Sequence, residues 1–179
     1  MLKSHRGTYE IFPDGSEKDI SREIPFDIPE SWAWCRLGSI MSVSSGKSLP
    51  LNIKSGVGEY PVYGGNGIMG KYSSFNVAPQ TLIIGRVGAL CGNTHLTEKT
   101  AWVTDNALIC EFSNKLIINT FLKIIIDGLD LHKKSSATAQ PVITGKIIYP
   151  SLIAIAPVNE QHRIVEKLGV LMKELGVTK

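Results

Sequence analysis

Short apolar runs broken by glycine, asparagine and proline fill the middle of the chain, and a helical period governs its end. Residues 81–84 are a β-branched run of strand length, and 101–103 and 107–110 repeat the pattern beyond an interval holding Gly85, Gly88 and Gly92. The expected order is strand, glycine-hinged loop, strand, bend at Asp105-Asn106, strand. Residues 60–72 predict a strand, an open turn through Gly64-Gly65-Asn66-Gly67, and a second strand. Asn114 stands where a cap would precede a helix carrying Leu116, Phe121, Leu122 and Ile126, ended by Asp127-Gly128. That segment is apolar almost all round, as a core helix is. Residues 142–143, 147–149 and 152–155 predict short strands. Beyond Pro157, Asn159 is placed to cap a helix over 160–175, on which Ile164, Leu168, Leu171 and Leu175 step by 4, 3 and 4. Such a narrow stripe fits another helix, or it folds back on its own domain; Gly169 weakens the helix that bears it.

Ahead of this body, residues 1–23 are polar and aperiodic, with a turn signal at Pro13-Asp14-Gly15, and predict an extended lead-in. Pro25 and Pro29 hold the next segment extended, Ser31 is placed to cap a short turn, and Trp32, Trp34 and Leu37 supply area that closes a core. The division expected is a lead-in over 1–23, one domain over 24–157, and the start of a longer helix over 158–179. The class is mixed α/β (α+β).

Composition narrows the picture by exclusion. No apolar run reaches the ~20 residues of a membrane helix, and the first ten residues lack the apolar core of a secretory signal. Cys35, Cys91 and Cys110 are too far apart for a metal knuckle, and their odd number argues against a disulfide framework. A cytoplasmic, metal-free protein is expected. Charge is divided: residues 1–30 carry net −3 and residues 31–179 carry net +6. Between Trp32 and Leu90 the cations are Arg36, Lys47, Lys54, Lys71 and Arg86, against Glu59 as the sole acid. A basic body behind an acidic leader fits a polyanion partner.

Two stretches come near a phosphate-binding loop and miss. Gly46-Lys47-Ser48 has the right ending, but Met41 stands where the first glycine belongs; the glycines before Lys71 are correctly spaced, but Tyr72 replaces the metal-binding hydroxyl. No helix pattern follows the second. Asn66, flanked by glycines, carries an amide able to donate and accept at once, the pattern that reads adenine, although a turn asparagine also bonds its own backbone. The polar loop 131–140, with Lys133 and Lys134, either donates to phosphate oxygens or is a solvated connection.

Taken in order, several motifs resemble a target recognition domain of the type I restriction-modification specificity subunits. They are Ile24-Pro25-Phe26-Asp27-Ile28-Pro29-Glu30-Ser31-Trp32-Ala33-Trp34, Tyr63-Gly64-Gly65-Asn66-Gly67, Ile84-Gly85-Arg86-Val87-Gly88-Ala89 with Cys91-Gly92-Asn93, Gln140-Pro141, and Pro157-Val158-Asn159-Glu160-Gln161-His162-Arg163-Ile164-Val165. The likeness covers about residues 24–175. It implies a twisted sheet with a core helix, leading into the family's spacer helix. It also implies reading of one half of a split double-stranded DNA site, with no chemistry in this chain. Methyl transfer with S-adenosylmethionine, and Mg- and ATP-dependent cleavage, would lie on partner methyltransferase and restriction subunits. The sequence has no Asn-Pro-Pro-Tyr-like motif and no Walker A loop. Family subunits usually hold two such domains joined by long helices, so this chain resembles half of one.

On that footing Lys47, Lys54, Lys71, Arg86, Lys133 and Lys134 are expected on one face against DNA phosphates, with Arg86 serving either phosphate or scaffold. Asn66, Asn93, His95 and Gln140 are the expected base readers. Ile164, Leu168, Leu171 and Leu175 are expected to pair with a second copy, a second recognition domain or a partner's helices. The rival readings are an enzyme using the glycine loops as a phosphate nest, and an interaction module acting through the last helix alone.

Overall fold

The computed structural model describes residues 3–4, 7–49, 58–135 and 141–177. In chain order the strands are β1 (Lys3–Ser4), β2 (Gly7–Ile11), β3 (Glu17–Asp19), β4 (Ala33–Arg36), β5 (Met41–Ser45), β6 (Tyr60–Gly64), β7 (Gly67–Tyr72), β8 (Leu82–Gly85), β9 (Thr94–Leu96), β10 (Trp102–Val103), β11 (Ala107–Phe112) and β12 (Leu152–Ile155). The helices are α1 (Asn119–Gly128), α2 (Leu131–Lys134), α3 (Gly145–Ile148) and α4 (Val158–Glu174).

The apolar run at 82–84 is continuous because β8 is covered on both faces. Leu82 and Ile84 join the larger core with Phe121, Leu122 and Ile126 of α1, while Ile83 faces a smaller core with Tyr63, Val77, Ala101, Val103 and Ala107. Each Leu, Ile, Val or Phe side chain so taken from water contributes about 1.5–3 kcal/mol. β8 pairs antiparallel with β9 on one side and β11 on the other, and β11 pairs with β5, giving the sheet order β5-β11-β8-β9. The smaller core lies between this sheet and a second one, β10-β6-β7, in which β10 runs parallel to β6 and β7 antiparallel. β4 pairs with β12, so the tryptophan-rich entry is stitched to the last strand. Trp34 is buried, with the Phe26 ring 5.2 Å from its own, and Trp32 packs on the larger core.

The structure departs from the sequence expectation at several places. Residues 1–23 do more than run extended: β1, β2 and β3 form an antiparallel sheet, its second hairpin turned at Asp14-Gly15, where the Ser16 hydroxyl and N–H both donate to the Asp14 carboxylate. Arg36 fastens that sheet to the body. Its guanidinium donates twice to Glu10, at 2.9 and 3.1 Å through Nη2 and Nε to Oε2, and pairs with Glu23 at 2.7 Å. The turn at 29–32 is closed by the Trp32 N–H on the Pro29 carbonyl, a backbone bond in place of the expected Ser31 cap.

Asn114 does not cap α1. The chain first turns on the Ser113 carbonyl, Ile117 is buried, and the helix begins at Asn119 with an extended Ile118 at its N-cap. The Gln161 side chain, from α4, supplies the missing cap: its Oε1 accepts from the Ile118 N–H at 2.9 Å, and its Nε2 donates to the carbonyls of Leu116 and Ala156. Likewise α4 starts from Pro157 with no side-chain cap, not from Asn159. The expected strand at 147–149 is instead α3 and the residue that follows it, a run too short for period to separate helix from strand. β9 was hidden because His95 interrupts its apolar character.

Candidate functional site

The site is built around the β6–β7 hairpin. Gly65 and Asn66 make its turn, and Gly67 leaves the turn at φ +94°, a conformation glycine adopts without strain. A Cβ on Gly67 would also come within 3.3 Å of the His95 ring. The turn rests on the end of β8 by backbone contact alone: a Cβ on Gly85 would lie 2.1 Å from the Gly65 carbonyl oxygen. Beyond Gly85 the loop is closed on itself, since the Gly85 N–H donates to the Asn93 carbonyl and the Gly92 N–H donates back to Gly85. The glycine spacing read in the sequence thus brings two loops together at their backbones.

An open cleft lies on each side of the hairpin tip, each about 660 Å³. The first runs between residues 64–69 and the loop 87–90, with Asn106 at its margin. The second is lined by Tyr63, Asn93, Thr94, His95, Leu96, Glu98, Lys123 and Asp127, with Gly67 and Ile68 forming the wall shared with the first. Its floor is acidic but held in place: the Thr94 hydroxyl donates to the Asp127 carboxylate, and Lys123 pairs with that carboxylate at 2.6 Å. Among the described residues no charged side chain lines the first cleft. Two open, partly polar clefts side by side suit an extended ligand edge better than an enclosed small molecule.

Residues 29–179 match the family described as type I restriction modification DNA specificity domain. The chain belongs to this family. It is 31% identical over 116 residues to the EcoprrI specificity subunit of Escherichia coli, a match covering 62% of this chain and 29% of that protein. With the EcoAI specificity subunit, also from Escherichia coli, it shares 26% identity over 182 residues, covering 84% of this chain and 30% of that protein. The chain therefore spans under a third of the length of these curated relatives. Its fold superposes on the S subunit of a type I restriction-modification system from M. genitalium, with TM-score 0.71 at 18% identity, over 84% of this chain and 42% of that one. It also superposes on the HsdS subunit from Thermoanaerobacter tengcongensis, with TM-score 0.63 at 21% identity, over 85% and 40% of the two chains.

Within this specificity domain the expected base readers fall on both clefts. Asn66 is exposed on the first; Asn93 and His95 line the second, Asn93 exposed and His95 half-buried with its ring 6.5 Å from that of Tyr63. Gln140 lies outside the described residues. The expected phosphate contacts among the described residues sit on β7, on α2 and in the loops after β5 and β8. Lys47, just past β5, and Lys71, on β7, are exposed and form no ion pair among the described residues. Lys133 and Lys134 belong to α2, a helical turn where a loop was expected, and both are already engaged. Lys133 pairs with Asp130 at 2.5 Å, which holds the Asp130 carboxyl below its ordinary range, and Lys134 donates to the Ser151 hydroxyl. Lys54 lies outside the described residues.

Arg86 is half-buried and built into the frame. Its guanidinium donates to the Ser45 hydroxyl and the Asp105 carbonyl, both at 3.2 Å, and its backbone bonds Asn106 and Ile143. That geometry favours the scaffold role for it. The α4 stripe divides: Ile164 packs on the larger core and Leu168 is half-buried, while Leu171 and Leu175 are exposed. Sequence reasoning missed Glu160 and Gln161 as the residues that fix α4 to the domain. Glu160 accepts from the Trp32 indole at 3.0 Å, and Gln161 is fully buried. Among the described residues no helix is long and apolar enough to cross a membrane.

Proposed function

We propose that this chain reads one half of a split double-stranded DNA target as the specificity subunit, or half of one, of a type I restriction-modification complex. The observation that carries the reading is the pair of open clefts astride the Gly65-Asn66-Gly67 turn, in a domain of a DNA specificity family. Amides and an imidazole line those clefts, the groups that match base edges, and Lys47 and Lys71 lie exposed to meet phosphates. Methyl transfer and cleavage belong to partner methyltransferase and restriction subunits, which bind the S-adenosylmethionine, ATP and Mg those reactions need. The uncovered end of α4, with Leu171 and Leu175, pairs with a second copy or with a partner's helices and sets the distance between two recognition domains.

The test is methylation mapping of cells carrying the intact system. The expected result is one split sequence that is methylated only when this chain is present. A methylation pattern unchanged by deleting the chain would contradict the reading.

A further inference from the structure

The first cleft has a rim that base reading by amides leaves unexplained. Ile68 and Met69 are neighbours on β7 and would point to opposite faces of a regular strand. Here both line the same cleft. The pairing register explains why: Tyr63 faces Ile68 and Val62 faces Gly70, so Met69 is the extra residue of a β-bulge. Bulges re-aim side chains in this way. The outcome is two large apolar side chains, 60% and 61% exposed, turned into one cleft, with Leu90 49% exposed on the opposite rim. Nothing among the described residues covers them. They stand two and three positions from the exposed Asn66 amide, in a lining without charge.

An A·T base pair offers a matching edge. In the major groove it presents the adenine N7 acceptor and N6 amino donor, then the thymine O4, then the thymine C5-methyl group, the one apolar group on any base-pair edge. Hydrogen-bonding amide beside apolar rim reproduces that order. We propose that Ile68 and Met69, with Leu90 across the cleft, recognise the C5-methyl group of a thymine in the target. The proposal rests on the DNA-reading function proposed above, and it adds to that function the residues that select an A·T pair. The described lining carries no charge, and Lys71, two residues beyond Met69 on the same strand, is exposed outside it. That arrangement favours DNA over an acidic or basic protein segment, because the charge needed for the polyanion sits outside the reading surface.

The experiment uses the full chain and duplexes bearing the mapped target, with each thymine of this domain's half-site replaced in turn by deoxyuridine. That change removes one methyl and leaves every hydrogen-bonding group. Wild-type protein should bind one such duplex about four-fold more weakly, the worth of one buried methyl at about 0.8 kcal/mol. The same penalty should vanish in an Ile68→Ala, Met69→Ala double variant. Both side chains are mostly in solvent, so the variant should melt like wild type; the wild-type series stands without it. Selective binding with no deoxyuridine penalty at any position, or a penalty that persists in the double variant, overturns this inference and leaves DNA reading intact. A half-site without an A·T pair overturns it too. Binding without any sequence selectivity takes down both. Loss of co-purifying subunits in the double variant, with no deoxyuridine penalty in wild type, would reassign the rim to a protein contact.

Discussion

Gln161 makes three hydrogen bonds from a fully buried side chain, each to a backbone group: the Ile118 N–H at the start of α1 and the carbonyls of Leu116 and Ala156. An unmet buried polar group costs about 1–3 kcal/mol. Gln161→Ala should therefore lower stability by roughly 3 kcal/mol in urea unfolding, with α1 losing amide protection first; a loss below about 1 kcal/mol would show that water replaces the carboxamide. Arg36 plays the matching part at the other end of the chain, and its effect is readable in pH. The Arg36 guanidinium, and after it Lys18, holds the Glu23 carboxyl down from its ordinary 4.5 to about 2. A carboxyl lowered on folding stabilises the folded state above its unfolded value, and that contribution fades as pH falls from about 4.5 through about 2. The NMR signals of the Arg36 side chain should shift across that window in wild type, and by less in Glu23→Gln. Neither residue's part was legible in the sequence, because Gln161 meets partners 43 and 45 positions away and Arg36 reaches back 26. The glycines were legible, since a tight turn or a backbone contact restricts the residue at its own position.

At the scale of elements, α4 is two things in one helix. Its first half is docked through Gln161, Ile164 and Val165, and its second half exposes Val170, Leu171, Met172 and Leu175. An isolated helix of this length is marginal in water, so the second half gains most from a partner. Leu168→Asp with Leu171→Asp should abolish self-association, or capture by partner subunits, while leaving the domain's melting nearly unchanged. Sedimentation decides it: a wild type that stays monomeric at high micromolar concentration and also fails to hold partner subunits would contradict the helix assignment. The 4-3-4 spacing was legible from the sequence, but which half would be covered was not, because covering depends on where α1 lies. The same limit hid β9 and turned an expected strand into α3. Three or four apolar residues set no period, and packing decides. Longer runs were easier: the β6–β7 hairpin, β8 and β11 all fall where apolar stretches end in glycine, asparagine or proline.

Across the whole molecule, two sheets meet over the smaller core so that the hairpin tip and the loop after β8 stand together at one end, with a cleft on either side. Asn66, Asn93 and His95 could be picked out as polar groups beside glycines. The bulge that turns Ile68 and Met69 into one cleft could not, since an extra residue is defined only by the strand opposite it. Of the cations in the basic body of residues 31–179, Lys47 and Lys71 are exposed and form no ion pair among the described residues, while Arg86 is spent on the frame. Each phosphate contact contributes about 0.9 to the slope of log K against log[salt]. Replacing Lys47 and Lys71 by alanine should reduce the slope's magnitude by roughly 2, equally on target and scrambled duplexes. The most direct test of the central claim is a titration of the wild-type chain against a duplex carrying the mapped half-site and against its scrambled counterpart, at several salt concentrations. The account predicts tighter binding to the half-site at every salt, with both affinities falling steeply as salt rises. Equal affinity for the two duplexes, or affinity indifferent to salt, would contradict it.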